Sequence, residues 1–197
     1  MKRYLREEEI NLRWRIAILT ILYMGLRRGR FGGFEWKDID FENGTIKMYR
    51  SVQKLPTFGI IIKEPDEEIS KRTISMPDKL FEYLHAYEAW WLNRKHCLCD
   101  RLGDTDRLFW TEEGKGICLG LLRVWIPKSL ARAGLPIVTL HSLRHTNITL
   151  QLMAGIDIKT VAGRVGHSQT STTTDIYSHS LQSSDKKTSN ILDKIFE

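Results

Sequence analysis

The sequence contains no apolar run long enough to cross a membrane. The longest run, residues 16–26, is much shorter than the roughly 20 residues that a membrane-spanning helix needs. The chain starts with Met-Lys-Arg and continues into the acidic residues 7–9, so an apolar signal core is also missing. These absences argue against a membrane protein and against secretion, and they predict a cytoplasmic location.

Cysteine is scarce as well. The three cysteines, Cys97, Cys99 and Cys118, cannot all pair, and without a secretion signal they indicate reduced thiols. A zinc site at His96-Cys97-x-Cys99 is the alternative, but the spacing lacks the usual two-residue gap and no second pair matches it. We therefore predict no metal site. Internal repeats and low-complexity segments are also absent, so 197 residues predict one compact domain.

Positive charge is present in excess but unevenly placed. The net charge is +6 and the pI is about 9.3. Residues 1–30 hold eight Lys/Arg against three Asp/Glu, and residues 115–197 hold ten against five, whereas residues 31–114 hold twelve against sixteen. A basic chain favours a polyanionic partner. The two basic ends must meet if they share one site.

Periodicity predicts a mainly helical α+β domain with a small antiparallel sheet near its N-terminal third. Strands are expected around the Asn43-Gly44 turn signal, and an apolar face in the C-terminal tail is expected to dock on its own core or on a neighbouring subunit. The predicted helices are 7–23, 31–36, 78–91, 119–133, 142–153 and 158–165, the strands 46–52, 59–63 and 72–76, a loop 94–106 and an extended piece 107–110.

Four side chains in the last third suggest chemistry at a phosphodiester. Tyr177 is a weak nucleophile with an ordinary pKa near 10, so attack on phosphorus needs nearby positive charge or a base. His141 and Arg144 lie three positions apart at a helix start and can reach one phosphate together. His167, just after a helix-ending glycine, can approach from another side. Each residue alone is typical of a capping His, a solvated Arg or a half-buried Tyr; together they predict a reactive site.

The segments that carry these residues resemble the second conserved box of tyrosine recombinases, the phage-integrase family. They read His141-Ser142-Leu143-Arg144-His145-Thr146, Val165-Gly166-His167-Ser168 and Thr174-Asp175-Ile176-Tyr177-Ser178-His179. Gly25-Leu26-Arg27-Arg28-Gly29, followed by Glu35-Trp36-Lys37-Asp38-Ile39-Asp40, resembles the first box. Within the family the sequence is similar to integrases of conjugative transposons from low-GC Gram-positive bacteria. The resemblance covers nearly the whole chain and implies a catalytic domain over residues 1–197.

The resemblance implies a role for each matching residue. Tyr177 would be the nucleophile that forms a 3′-phosphotyrosine and frees a 5′-hydroxyl. Arg27 and Arg144 would hold the non-bridging oxygens, His141 would assist proton transfer from the tyrosine, and His167 would donate to the phosphate. No metal, ATP or other cofactor is implied.

The leaving 5′-oxygen would take its proton from a lysine on a β-hairpin. Lys63, at the end of a predicted strand, is the better match, and Lys71 is the alternative because loop length blurs the alignment there.

The resemblance also implies partners. These are double-stranded DNA and other recombinase subunits, with a monomer alone and a tetramer on DNA joined through the tail of about residues 181–197. A bacterial, nucleoid-associated location follows. Integrases of this kind carry upstream core-binding and arm-binding domains that this sequence lacks, so we expect a fragment or a stand-alone relative that binds DNA weakly and with strong salt dependence.

One residue departs from the pattern. The first box has an acid three positions after its arginine, where this chain has Arg30. We expect Arg30 to misplace Arg27 by like-charge repulsion and so to impair activity; the alternatives are tolerated variation or an extra phosphate contact. Two other functions stay open: a type IB topoisomerase, which shares the chemistry, and a non-catalytic DNA-binding or assembly module. The apolar tail favours the recombinase over the topoisomerase.

Overall fold

The computed structural model describes residues 12–55, 57, 59–63, 71–97, 106–110, 119–132, 134–167 and 173. The chain divides into two compact units, residues 1–144 (unit 1) and 145–197 (unit 2). The predicted class is confirmed, since the described residues are mainly helical with small antiparallel sheets. No helix in these ranges is long and apolar enough to span a membrane. The expectation of a single domain over residues 1–197 stays a prediction.

The first helix, α1 (Leu12–Met24), is buried on most of its sides, as its two apolar stripes predict. The start of the predicted helix, residues 7–11, lies outside the described residues. Gly25 follows with φ 59°, a left-handed conformation that glycine adopts without a steric penalty, and so ends the helix as predicted. Arg13 is buried in α1 and its Nη1 donates to the carbonyl oxygen of Trp110 at 2.7 Å.

The helix predicted over residues 31–36 is wrong. The chain instead forms α2 (Arg28–Phe31), ends it at Gly32, and forms a separate 3₁₀ helix over Trp36–Asp38. Gly33 explains the break, because a Cβ at this position would lie 3.2 Å from both Cβ and the carbonyl oxygen of Arg50. The glycine pair therefore ends a helix and allows two backbone segments to approach closely.

The strand predicted over residues 46–52 is two strands. These are β2 (Thr45–Met48) and β3 (Ser51–Leu55), which lie in different sheets, so the prediction of one sheet is also wrong. β2 pairs with β1 (Ile39–Asp40) and β5 (Arg72–Ser75), and β3 pairs with β4 (Gly59–Lys63), all antiparallel. The ladder of β2 ends at Met48, and residues 49–50 lie between β2 and β3, with the side chain of Arg50 anchored on residues 33–38. Gly44, with φ 61°, forms the predicted turn before β2.

The remaining helices begin and end close to the predicted residues. They are α3 (Asp78–Cys97), α4 (Leu119–Arg132), α5 (Leu140–Met153) and α6 (Ile158–Val165). Only the predicted loop over 94–106 starts too early, because α3 continues to Cys97. In the predicted extended piece at 107–110, Arg107 forms an antiparallel bridge with Glu35.

Each unit has its own core. In unit 1, α1 and α3 bury a cluster that includes Leu80, Leu84, Tyr87 and Trp91, so the aromatic stripe of α3 is core, as predicted. The described core of unit 2 is small and aliphatic: Ile148, Leu152, Val161 and Val165.

Candidate functional site

Arg27 lies at the N-cap position of α2 with its side chain exposed. Its backbone carbonyl accepts hydrogen bonds from the amides of Arg30 at 3.0 Å and Phe31 at 3.4 Å. The preceding Leu26 is only 2% exposed, so the backbone is anchored in the core while the guanidinium points outward. The first box therefore presents a cation from a fixed turn.

Arg144 lies in α5 and is almost fully buried, with 3% of its surface exposed. Its Nη1 donates to the carbonyl oxygen of Gly25, two residues before Arg27. This contact brings together the two arginines predicted from distant parts of the sequence. Burial, followed by the charges of Arg27 and Arg72, lowers the pKa of Arg144 to about 9.

Arg72 is a further cation near Arg144 that the motifs in the sequence did not single out. It begins β5, pairs with Met48 of β2, and its charge reaches the guanidinium of Arg144. No local pattern in the sequence distinguishes Arg72 from an ordinary strand residue, because its place beside Met48 is set by the register between β2 and β5. Arg27 and Arg72 each repel the guanidinium of Arg144, and a bound anion would offset this repulsion, so the three residues are suited to a phosphate.

Lys63 is placed by its backbone at the end of β4, opposite Ser51 of β3. This end of the hairpin lies against α2, since a Cβ at Gly29 would be 3.2 Å from the carbonyl oxygen of Val52 and 3.7 Å from Cβ of Ser51. Lys71 is exposed and directly precedes Arg72. Lys71 thus neighbours Arg72 along the chain, whereas Lys63 lies on the hairpin whose partner strand contacts α2, and the choice between the two lysines stays open.

His141 is exposed near the start of α5. The helix begins with a reciprocal cap, in which the amide of Ser142 donates to Thr139 Oγ1 at 3.1 Å and the amide of Thr139 donates to Ser142 Oγ at 3.4 Å. His141 also lines a cavity of about 290 Å³ whose other walls are Leu122, Arg123, Ile126, Pro127, Val138, Thr139 and Leu140. The helix start that carries His141 is therefore capped, and its side chain is exposed beside this cavity.

His167 belongs to unit 2. It follows Gly166, whose φ of 73° ends α6 as predicted, and it is 8% exposed. Its Nδ1 shares a hydrogen bond of 2.8 Å with Oγ1 of Thr173, which is fully buried. This hydrogen bond fixes the orientation of the His167 ring. In the sequence, Thr173 is only one residue of a Ser/Thr-rich run, so its contact with His167 could not be predicted. Tyr177 and the tail of residues 181–197 lie outside the described residues.

Arg30 contacts β2 from α2. Its Nη1 donates to the carbonyl oxygen of Met48 at 3.1 Å. Burial, and then the charge of Arg27, lowers the pKa of Arg30, so the two guanidinium groups repel each other. Among the residues that the structure describes, no group of three or more His, Cys, Asp and Glu is arranged to hold a metal ion.

Solved structures with the same fold are recombinases and integrases. The Tn1549 transposon integrase, in complex with transposon right end DNA, has a TM-score of 0.78 and 23% identity, covering 89% of this chain and 58% of that one. XerA recombinase has a TM-score of 0.69 and 24% identity over 90% of this chain and 57% of that one. This is the fold of tyrosine recombinases, as predicted.

Sequence comparison identifies the family. A sequence model of the phage integrase family matches residues 2–184, and the chain belongs to this family. A XerC-like tyrosine recombinase of Caldanaerobacter subterraneus is 30% identical over 85% of this chain and 46% of its own length. The transposase of Tn916 from Enterococcus faecalis is 28% identical over 82% of this chain and 41% of its own length. The chain therefore spans less than half the length of these relatives, and the predicted similarity to conjugative-transposon integrases is confirmed.

Proposed function

We propose that this chain is the catalytic domain of a site-specific DNA recombinase, which cuts and rejoins strands through a 3′-phosphotyrosine. The observation that carries the proposal is the contact of Arg144 with Gly25, which holds a buried guanidinium beside Arg27 and Arg72. Such a cluster is built for an anion, and membership of the phage integrase family points to a DNA phosphate.

In the proposed cleavage, Tyr177 Oη attacks phosphorus and the bond from phosphorus to the 5′-oxygen breaks. His141 takes part in removing the tyrosine proton, and Lys63, or Lys71, gives a proton to the departing 5′-oxygen. The phosphodiester is kept as a phosphotyrosine, so a second 5′-hydroxyl can reverse the attack and join a new strand. The balance of bonds needs no metal or ATP.

Arg27 and Arg144 would hold the non-bridging oxygens, and His167 would donate to the same phosphate. Donors fixed before the reaction stabilise the transition state most, because they need not reorganise when charge develops. The tether of Arg144 to a backbone carbonyl supports a fixed donor in unit 1, and the contact of His167 with Thr173 supports a fixed donor in unit 2.

The proposed partner is double-stranded DNA, and the solved Tn1549 integrase in complex with transposon DNA supports it. We also propose that further subunits join through residues 181–197, giving a tetramer on DNA and a monomer alone. Such a protein would act at the nucleoid of a bacterial cell.

A nicked suicide substrate tests the chemistry, because loss of the short 5′-hydroxyl strand traps the covalent intermediate. We expect a covalent adduct with the wild-type chain that Tyr177→Phe abolishes. No adduct from the wild type, even when the chain is joined to upstream DNA-binding domains, contradicts the proposal. Relaxation of supercoils without strand exchange would instead identify a type IB topoisomerase.

The repulsion between Arg30 and Arg27 favours a second candidate, a catalytically impaired relative that binds DNA. On this hypothesis Arg30→Glu forms the covalent adduct faster than the parent chain. If the adduct forms no faster, Arg30 does not damage the site.

A further inference from the structure

The side chain of Arg50 joins two parts of unit 1 that each lead to a proposed reactive residue. Arg50 lies between β2 and β3, and only 10% of its side chain is exposed. All three guanidinium nitrogens have acceptors on residues 33–38: Nε donates to the carbonyl oxygen of Gly33 at 3.2 Å, Nη1 lies 2.7 Å from Glu35 Oε2, and Nη2 donates to Asp38 Oδ2.

Residues 33–38, which hold the acceptors, are fixed by their own hydrogen bonds and follow the turn of Arg27 in the chain. Asp38 is 2% exposed and accepts a hydrogen bond from the amide of Glu35 at 2.9 Å, and each of the two side chains caps the backbone of the other residue. Gly33 follows α2, whose N-cap is Arg27, and it approaches Arg50 so closely that an added Cβ would meet it at 3.2 Å.

The other side of Arg50 leads to Lys63. The next residue, Ser51, begins β3 and is the partner of Lys63 in the ladder with β4. A continuous path of short contacts therefore connects the backbone of Lys63, through Ser51, Arg50 and Gly33, to the turn that carries Arg27.

We propose that Arg50 is a positioning residue that sets the register between the Lys63 strand and the Arg27 turn. The inference rests on the proposed function, because it places the proton donor of the leaving group relative to the phosphate-binding arginine. Arginine suits this role, since its planar fork serves several acceptors at once, whereas the single ammonium of lysine cannot reach all three.

Leaving-group chemistry separates positioning from general stability. In the proposed cleavage the bond from phosphorus to the 5′-oxygen breaks, and the proposal takes Lys63, rather than Lys71, as the residue that gives that oxygen its proton. With sulfur in place of the bridging 5′-oxygen, the thiolate departs without a proton because the pKa of a thiol is far below that of an alcohol. We expect Arg50→Gln and Arg50→Lys to slow adduct formation about tenfold or more on the oxygen substrate and to approach the wild-type rate on the sulfur substrate.

Arg13→Gln is the matched control, because Arg13 is also a buried arginine of unit 1 that donates to a backbone carbonyl. The folded fraction of Arg13→Gln should fall, and the rate of adduct formation should fall by the same factor on the oxygen and the sulfur substrate. If Arg50→Gln slows both substrates equally, or slows neither, the proposal is overturned.

Hydrogen exchange tests the same coupling without any activity. In Arg50→Gln, amides of residues 30–33 and of residues 59–63 should both exchange faster, whereas Arg13→Gln should not accelerate the two together. Faster exchange in only one of these segments contradicts the proposal. A wild-type chain that forms no Tyr177-dependent adduct would refute the proposed function, and hydrogen exchange would still decide the role of Arg50.

Discussion

The two units hold their functional side chains in different ways. In unit 1, Arg144 is tethered to the carbonyl of Gly25 above a large core with stacked aromatic rings, such as Phe31 on Phe109 at 4.5 Å. In unit 2, His167 is held by Thr173, and the described core consists of four aliphatic residues. Among the described residues, Arg144 thus belongs to the unit with the larger, aromatic-rich core, whereas His167 belongs to the unit whose described core is small and aliphatic.

Matched leucine truncations test this difference in packing most strongly. Leu84 in unit 1 is fully buried and Leu152 in unit 2 is 6% exposed. We expect Leu84→Ala to lower the free energy of unfolding by about 4 kcal/mol and Leu152→Ala by about 2 kcal/mol, because fewer atoms surround the second site. Urea unfolding measures both. Equal losses would contradict the view that unit 2 is the more weakly packed.

Matched arginine substitutions test whether the cation cluster, rather than any buried arginine, supports catalysis. Arg144→Gln removes a donor from the cluster and should slow adduct formation about 10²-fold. The control is Arg164→Gln in α6, since burial also lowers the pKa of Arg164 while the cluster stays intact. Trapped adduct on the suicide substrate is the measurement. Similar losses in both variants would point to general destabilisation.

The hydrogen bond of His167 can be removed with little change in shape. Thr173→Val deletes Oγ1 and should lower the free energy of unfolding by about 1 kcal/mol, because the buried Nδ1 of His167 loses its partner. Thr173→Ser keeps the oxygen and should retain most of the stability. Thermal unfolding compares the two. If valine and serine behave alike, the hydrogen bond does not hold the ring.

A free anion should produce the smallest effect. Sulfate at a few times its Kd should raise the Tm by roughly 2–4 °C at pH 7, about 1 kcal/mol, when compared with chloride of equal ionic strength. Burial and the charges of Arg27 and Arg72 lower the pKa of Arg144, so a bound anion should relieve part of this destabilisation. Arg144→Gln should reduce the sulfate increment, and an increment unchanged in that variant would contradict an origin in Arg144.

The sequence predicted the helices well because their signals are local. Gly25, Gly134 and Gly166 end helices with positive φ, and the apolar spacing of α3 is a property of its own residues. The predicted bounds of helices and strands were wrong where a contact with residues distant in the sequence determines the backbone conformation. The run 46–52 divides at Arg50, because that side chain binds residues 33–38, and Gly33 breaks a predicted helix because Arg50 lies against it.

The candidate site follows the same rule. Arg27, His141, Arg144 and His167 were found because they match a motif, and the structure adds what fixes the arginines in unit 1 and His167 in unit 2. Arg72 was missed because its proximity to Arg144 depends on strand register and on how α5 packs within unit 1.

The tether between Arg144 and Gly25 joins residues 119 positions apart in the chain. Contacts of such long sequence separation form slowly, because a long loop must close before they stabilise the fold. During synthesis, Arg27 leaves the ribosome long before Arg144 exists, so the nascent chain displays one arginine without its partner. The contact between Arg144 and the backbone beside Arg27 can therefore form only after residue 144 has been synthesised.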